Sequence, residues 1–401
     1  MDTQEFDIAI VGAGLVGASL ACAIAQQDKA QSIRIALIEA SNDVQNFVGE
    51  SFDPRVVALT QASQNLFSEL DVWEDIEQVR ACAYGDMHVW DGEGTAEIHF
   101  NSADVRANYL GHIIENSVIV NALRKKLAQH SQITLIQPAS VESLDNGNGV
   151  TITLNNGQTV TTRLLIAADG AHSKVRELAE FETREWEYGH KAIITTVQTE
   201  LPNQLTAWQR FMRTGPLAFL PLQSINEKHF CSIVWSAKSE FADELMQLSD
   251  AEFNIHLAQS FEYKLGKIIH SAERFVIPLR QRHAKTYIKP HIVLVGDAAH
   301  NIHPLAGQGV NLGLLDVIAL AKEIGRALER NIPLNDFSIL RRYQRQRLAN
   351  NLIMMSAMEA FKRLFGSESL VITWLRNTGM RQLNSLTELK KIIVKTAMGL
   401  D

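Results

Sequence analysis

The apolar positions of the chain fall into two spacings, and these sort it into elements. Ile8-Ala9-Ile10-Val11 is a short continuous apolar run that predicts a buried strand. Helix formers follow from Ala18 to Gln27, and Ile33 to Ile38 predicts a second strand. A similar signature returns late. Ile292, Val293, Leu294 and Val295 form a strand after Pro290, the run breaks at Gly296-Asp297, a loop carries Pro304, and a helix begins near Gly309. Between these ends, residues 60–78 predict one helix started by Thr60, with Leu66, Phe67 and Leu70 inward. Residues 84–100 alternate and turn at Asp91-Gly92-Glu93-Gly94, the first sign of an inserted β-rich domain. Residues 113–129 predict a helix, Ile133–Ile136 a short strand, and Ser140–Leu154 and Thr159–Ile166 strands joined at Asn155-Asn156-Gly157. Residues 186–280 predict a mixed β domain with strands at Tyr188–Glu200, Gln209–Met212, Leu217–Leu222 and Phe230–Trp235, and a helix over Asp250–Phe261. Helical spacing dominates from Val310 onward. Leu370, Val371, Ile372, Trp374 and Leu375 form an apolar stretch flanked by basic residues, read either as a helical cap on the core or as an amphipathic contact surface.

Chemistry attaches to the breaks between these elements. Gly12, Gly14 and Gly17 stand at the spacing G-x-G-x-x-G between strand and helix, and Glu39 closes the second strand, 22 residues past Gly17. Gly12 makes the tight turn, Gly14 admits a pyrophosphate, Gly17 allows helix and strand to pack closely, and Glu39 suits ribose hydroxyls. The pattern predicts a dinucleotide site. In the late motif, Gly307 and Gly309 let the backbone approach a ligand, and the following helix aims its positive end there. Asp297, an acceptor when ionised, suits a hydroxyl-rich ligand. Ala167-Ala168-Asp169-Gly170-Ala171-His172-Ser173, with Arg176 after it, closes another strand, and Asp169 is a cofactor candidate there. Arg55 is either a contact to the cofactor or an ordinary surface arginine. Phe211, Phe219, Leu220 and Trp235 are candidate pocket residues, with core packing the commoner fate of such side chains. His300 and His303 lack further ligands at metal spacing, so no metal site is expected. His300 is a weak candidate for a catalytic base, against a structural role in the loop.

Composition narrows the class. At 46% apolar and 21% charged, the chain can bury a substantial core. Three cysteines without metal or redox spacing suit a reducing, cytoplasmic setting. Residues 8–25 carry no charge, yet acidic and polar residues precede them and three glycines interrupt them, so neither a signal peptide nor a membrane span is expected. The net charge of −7 is uneven: residues 341–401 hold 11 Lys and Arg against 4 acids, and the remainder 27 against 41. A nucleic-acid role is not expected, and the basic region suits a membrane surface or an acidic partner.

Three signals now stand in one order: the glycine triplet; Asp169-Gly170, Ser173 and Arg176; and Gly296-Asp297 with Pro304 and Gly307-Gln308-Gly309-Val310-Asn311. That order resembles the FAD-dependent aromatic hydroxylases, single-component flavoprotein monooxygenases. The runs Gly111-His112-Ile113-Ile114-Glu115-Asn116, Phe219-Leu220-Pro221-Leu222, Gly296 to Gly313 and Ala397-Met398-Gly399-Leu400 resemble the bacterial ubiquinone-biosynthesis hydroxylases more closely. The resemblance implies an α/β fold: a Rossmann-like FAD-binding domain with an inserted mixed β-sheet substrate domain and a helical C-terminal region. Residues 1–79, 105–183 and 284–345 would form the FAD-binding domain, 80–104 and 184–283 the substrate domain, and 346–401 the helical region. Gly12, Gly14, Val16 and Gly17 would cradle the FAD pyrophosphate, and Glu39 would bind the ribose. Asp169 would serve FAD and NAD(P)H. Gly296-Asp297 would meet the ribityl or pyrophosphate part, and Gly307, Gln308, Gly309, Val310 and Asn311 would face the flavin ring beside Pro304. Glu115 stands where many relatives carry arginine or glutamine.

The implied activity is hydroxylation of a polyprenylated phenol or benzoquinol ring with NAD(P)H and O2, through a flavin C4a-hydroperoxide. The implied place is the cytoplasm, with peripheral contact to the inner membrane or to a ubiquinone-biosynthesis complex through the basic C-terminal region. Two alternatives are a flavin-dependent NAD(P)H reductase without oxygen insertion and a non-catalytic flavin-bearing subunit.

Overall fold

The computed structural model describes residues 3–43, 45–301 and 309–365, with positions 388, 391, 395, 398 and 399. Pro304, Gly307, Gln308 and His303, and the stretch Leu370–Leu375, lie outside the described residues. The chain runs β1 (Thr3–Val11), α1 (Leu15–Gln27), β2 (Ile35–Ile38), β3 (Val56–Leu59), α2 (Gln61–Glu69), α3 (Trp73–Val79), β4 (Cys82–Tyr84), β5 (Asp86–Asp91), β6 (Glu97–Asn101), β7 (Gly111–Glu115), α4 (Asn116–Leu127), β8 (Ile133–Ile136), β9 (Val141–Asn146), β10 (Val150–Leu154), β11 (Thr159–Ala167) and α5 (Lys174–Leu178). It continues as β12 (Thr183–Thr199), β13 (Thr206–Met212), β14 (Gly215–Pro221), β15 (His229–Lys238), α6 (Ser239–Gln247), α7 (Asp250–Ser260), β16 (Ile268–Ser271), β17 (Phe275–Ala284), β18 (Ile288–Lys289), β19 (Ile292–Leu294), β20 (His300–Asn301), α8 (Gly309–Glu329) and α9 (Phe337–Phe365).

Among the described residues the strands form three sheets. The first has the order β18-β19-β11-β1-β2-β8, with β19, β11, β1, β2 and β8 parallel and the β9–β10 hairpin attached to β11. Its strands are continuous apolar runs because both faces are buried. Ile8, Ile10, Leu37, Leu165, Ile166 and Val293 are sealed from solvent, each contributing about 1.5–3 kcal/mol by burial. Helix α1 packs between α4 and α8.

The second sheet has the order β20-β17-β12-β15-β14-β13-β5-β6, with β16 beside β12. Strand alternation divides its side chains between two faces. Phe219 and Trp235 point to one, where they pack with Leu245 of α6 and Phe253, Leu257 and Phe261 nearby. Ala218, Leu220 and Phe230 point to the other, against Ala58, Cys82 and Ile113 of the small third sheet, β3-β7-β4. The small sheet thus lies between the first core and the second sheet.

Some elements differ from their sequence expectation. The 60–78 helix divides into α2 and α3 where Asp71 takes a left-handed backbone (φ 54°). Gly111–Glu115 is a strand rather than the start of a helix, because Ile113 and Ile114 sit in a ladder between β3 and β4. The α6 helix is not among the expected elements, although Ala242 and Leu245, three apart, mark its buried face. Strand β4, inside the expected 80–104 piece of the second domain, pairs with β7 of the small sheet, while β5 and β6 join the large one.

Candidate functional site

Four parallel strands end side by side, in the order β2-β1-β11-β19. Their carboxyl ends carry Glu39, the glycine turn, Asp169 and Gly296-Asp297, so sheet order brings together motifs separated by more than a hundred residues, at the edge where open α/β sheets bind ligands. Backbone bonds lock the junctions: Gly12 N–H donates to Ile38 O at 2.8 Å, Ala168 N–H to Val11 O at 2.8 Å and Val295 N–H to Ala167 O at 3.0 Å. Gly12 has φ +99°, and a Cβ there would lie 2.4 Å from Ala168 O. At Gly17 it would lie 1.8 Å from Gly12 O. Gly14 differs: a Cβ would meet nothing within 4 Å, so its open side faces the ligand edge rather than the protein. Glu39 is held by Ala13 N–H (2.7 Å) and Ser41 N–H (3.0 Å), which aligns its carboxylate with the glycine turn.

Val16 meets the late motif directly. Cβ atoms at Gly296 and Gly313 would come within 3.3 and 2.8 Å of its methyls, so Val16 packs these glycines onto α1. Asp169 Oδ2 accepts from Lys174 N–H (2.8 Å) and Val175 N–H (3.2 Å), capping α5, whereas its buried Oδ1 has no protein partner. Arg176 is buried and bolts this turn to the late motif, donating to Ala171 O and Ala298 O. Desolvation by the surrounding protein raises the Asp297 pKa, with the nearby His300 opposing. Arg55 is exposed, and its guanidinium reaches Gln45.

Beneath Gly296-Asp297 lies a buried polar network centred on Asp316. Asp316 of α8 is fully buried; its Oδ2 accepts from Gly296 N–H (2.9 Å) and pairs with His300 Nε2 (2.6 Å), and its Oδ1 pairs with Arg347 Nε of α9 (2.7 Å). Burial alone would raise the Asp316 pKa, but His300 and Arg347 outweigh it and the pKa falls. Arg347 also reaches Asn351, Asn351 reaches the Tyr287 hydroxyl, and that hydroxyl meets His283. His300 is therefore held inside the protein, as a structural histidine. An acid within the apolar run of α8 was the available signal. A second buried cluster joins Arg80 to Glu115 (2.9 Å) and to the carbonyls of Phe47, Gly49 and Ser51. Burial moves the Glu115 pKa up to about 6 despite the arginine.

Two links bring the β-rich sheet and the small sheet to the late motif. His283 of β17 pairs with His300 of β20, and Asn311 of α8 donates to Ala58 O (2.8 Å) and accepts from Thr60 N–H (3.0 Å) and Ser63 Oγ (2.8 Å). Of the four pocket candidates, Leu220 and the half-buried Phe211 lie on the face toward the small sheet. Phe219 and Trp235 lie on the opposite face and belong to the helix-covered core, a correction imposed by strand alternation.

The family described as FAD binding domain matches residues 5–354. This chain belongs to that family. Within it, the chain is 34% identical over its full length to 3-demethoxyubiquinol 3-hydroxylase of Escherichia coli, covering 100% of both. It is 31% identical to human ubiquinone biosynthesis monooxygenase COQ6, over 98% of this chain and 92% of that one. It is 32% identical to ubiquinone hydroxylase UbiL of Rhodospirillum rubrum, over 98% and 89%. Among solved structures, p-nitrophenol 4-monooxygenase PnpA of Pseudomonas putida shares the fold at TM-score 0.79 and 18% identity, over 100% of this chain and 99% of that one. The chain is thus a FAD-dependent monooxygenase of the ubiquinone-biosynthesis hydroxylase group. FAD fits the FAD binding domain seen here on two observations: the open side of Gly14, and the buried Oδ1 of Asp169, which has no partner among the described residues.

Proposed function

We propose that the enzyme hydroxylates the aromatic ring of a polyprenylated phenol or benzoquinol. The balance is ring–H, O2, NAD(P)H and a proton giving ring–OH, water and NAD(P)+. The observation that carries this reading is the apolar layer between the large and small sheets, tied to the late motif through β17–β20 and Asn311. Bound FAD would supply the redox chemistry that couples NAD(P)H oxidation to oxygen insertion at an electron-rich ring carbon.

The protein's share is binding, orientation and exclusion of water. Gly12, Gly14 and the amino end of α1 receive the pyrophosphate, and Glu39 takes ribose hydroxyls through its remaining lone pairs. Asp169 Oδ1 and Asp297 accept from hydroxyls of the cofactor. Gly309 and Val310 open α8, whose positive end favours negative charge on the flavin ring. The half-buried Val56, Tyr84, Met87 and Val234 at the margin of that layer offer the ring and prenyl chain an apolar surface. Val16 and Asn311 hold these parts in register by packing and hydrogen bonding.

Among the described residues, no helix is long and apolar enough to cross a membrane. We place the enzyme in the cytoplasm, with its basic carboxyl-terminal region touching an anionic membrane surface or a biosynthetic complex. Arg342 is committed to Glu323 and Arg347 to Asp316, so the contact rests on the other basic residues of that region. The deciding experiment supplies purified holoenzyme with NAD(P)H, a short-chain prenylphenol and isotopically heavy O2. Label in a hydroxylated ring supports the proposal; NAD(P)H consumption without ring label, under conditions where the phenol binds, overturns it in favour of a reductase.

A further inference from the structure

The chain returns to its own body at Met398 and Gly399. Met398 is 3% exposed and packs with Leu110 in an apolar cluster with Tyr84, Met87, Phe100, Val105 and Ala107. Its carbonyl accepts from Ala62 N–H at 3.2 Å, satisfying an amide in the first turn of α2 that has no partner inside the helix. Gly399 follows with φ +70°, where a Cβ would lie 2.8 Å from Ala62 Cβ, so both the turn and the close approach require glycine. Thr60, beside this turn, is bonded to Asn311 at the start of α8.

Tyr84 and Met87 belong to two apolar groups at once: the cluster around Met398 and the layer between the large and small sheets. Met398 is therefore one side chain removed from the surface assigned above to the substrate. We propose that Met398 is an end wall of the substrate chamber, held by the Gly399 turn, and that it helps set which ring and prenyl substituents the chamber accepts. The inference rests on the aromatic-substrate reading. A thioether suits this role because it is unbranched and polarisable, and fills irregular apolar space against aromatic rings. Leu110, Tyr84 and Met87 belong to the apolar cluster around it, and the first turn of α2 holds its backbone. The wall and the late flavin motif share one support, the Thr60–Asn311 contact.

The test uses full-length, FAD-loaded protein with Met398→Trp, Met398→Ala and Met398→Leu. The Trp variant is expected to raise KM for a prenylated phenol about tenfold, with kcat changed much less and FAD content retained, since a few atoms in an apolar pocket shift selectivity by that order. The Ala variant is expected to lower the yield of hydroxylated product per NAD(P)H, and the Leu variant to restore it. Unchanged KM and yield in both Trp and Ala variants would overturn the proposal. A second readout does not depend on turnover. The three native cysteines are buried, so the Met398→Cys thiol is expected to react slowly with a maleimide and more slowly still when a prenylphenol is bound. Reaction as fast as in the unfolded chain, or no protection by a phenol shown to bind, would also overturn it. Protection without hydroxylated product would refute the hydroxylase reading and leave the wall intact.

Discussion

At the scale of single residues, the glycine triplet separates structural from ligand-facing demands. Gly17 has no room for a methyl group, since its Cβ would lie 1.8 Å from Gly12 O. Gly14 has room, and its backbone is extended with φ −69°. Gly17→Ala is thus expected to destabilise the fold by about 2 kcal/mol or more. Gly14→Ala is expected to leave the melting temperature of the FAD-free protein nearly unchanged while weakening FAD binding by about tenfold, through the close backbone approach that pyrophosphate needs. Thermal unfolding of both variants, with fluorescence titration of FAD, checks the contrast. Equal loss of stability in the two would contradict it. The sequence showed the spacing of these glycines; the direction in which each lacks a side chain belongs to the fold.

At the scale of elements, α8 and α9 are joined through a charge the sequence reading passed over. Asp316 lies inside an apolar helix and is matched by Arg347 from the next helix. Removing Arg347 as Arg347→Met leaves a buried carboxylate with only His300 against it, an expected loss of about 3–5 kcal/mol. The double variant with Asp316→Leu is expected to recover part of that loss, because no unpaired charge remains; denaturant unfolding of both measures the difference. Strand period gives a second contrast. Trp235→Ala opens a cavity beneath the helices and is expected to cost about 3–5 kcal/mol. Leu220→Ala, on the opposite face, is expected to cost about 2–5 kcal/mol and, unlike Trp235→Ala, to raise KM for the prenylphenol. Alternation was legible along β14 and β15, but which face met helices and which met the small sheet was not. Phe219 and Trp235 were consequently grouped with Leu220 although they point away from it.

At the scale of the molecule, two buried histidines tie stability to acidity. Burial lowers the pKa of His112 and of His283 from 6.5 to about 4. The folded protein keeps both imidazoles neutral where the unfolded chain would protonate them. Their contribution is present above pH 6.5 and is lost as the pH falls from 6.5 toward 4, by about 3 kcal/mol each at full extent. His112 stacks edge-on with Trp73 and Tyr109, so His112→Phe keeps the ring contacts and is expected to flatten the fall in melting temperature across that window. A slope identical to the wild type would exclude His112 as a source. The charge asymmetry also belongs to the whole chain. Binding to anionic vesicles is expected to weaken with salt and with reversal of Lys390, Lys391 and Lys395, and to be absent from neutral vesicles.

The sequence by itself determined the class of cofactor site, because a tight turn at the end of a strand, a close backbone approach and an acid on the next strand are local requirements with local residue types. It also showed the strands at Ile8–Val11 and Ile292–Val295, because burial on both faces leaves a continuous apolar run in the chain. Only the tertiary structure decided what lies beside what. The order β2-β1-β11-β19 gathers Glu39, Gly12, Asp169 and Asp297 into one edge. The return of Met398 to α2 and the pairing of Asp316 with Arg347 likewise depend on contacts between distant segments. No local pattern records such contacts, since their free energy exists only once the intervening chain has folded around them.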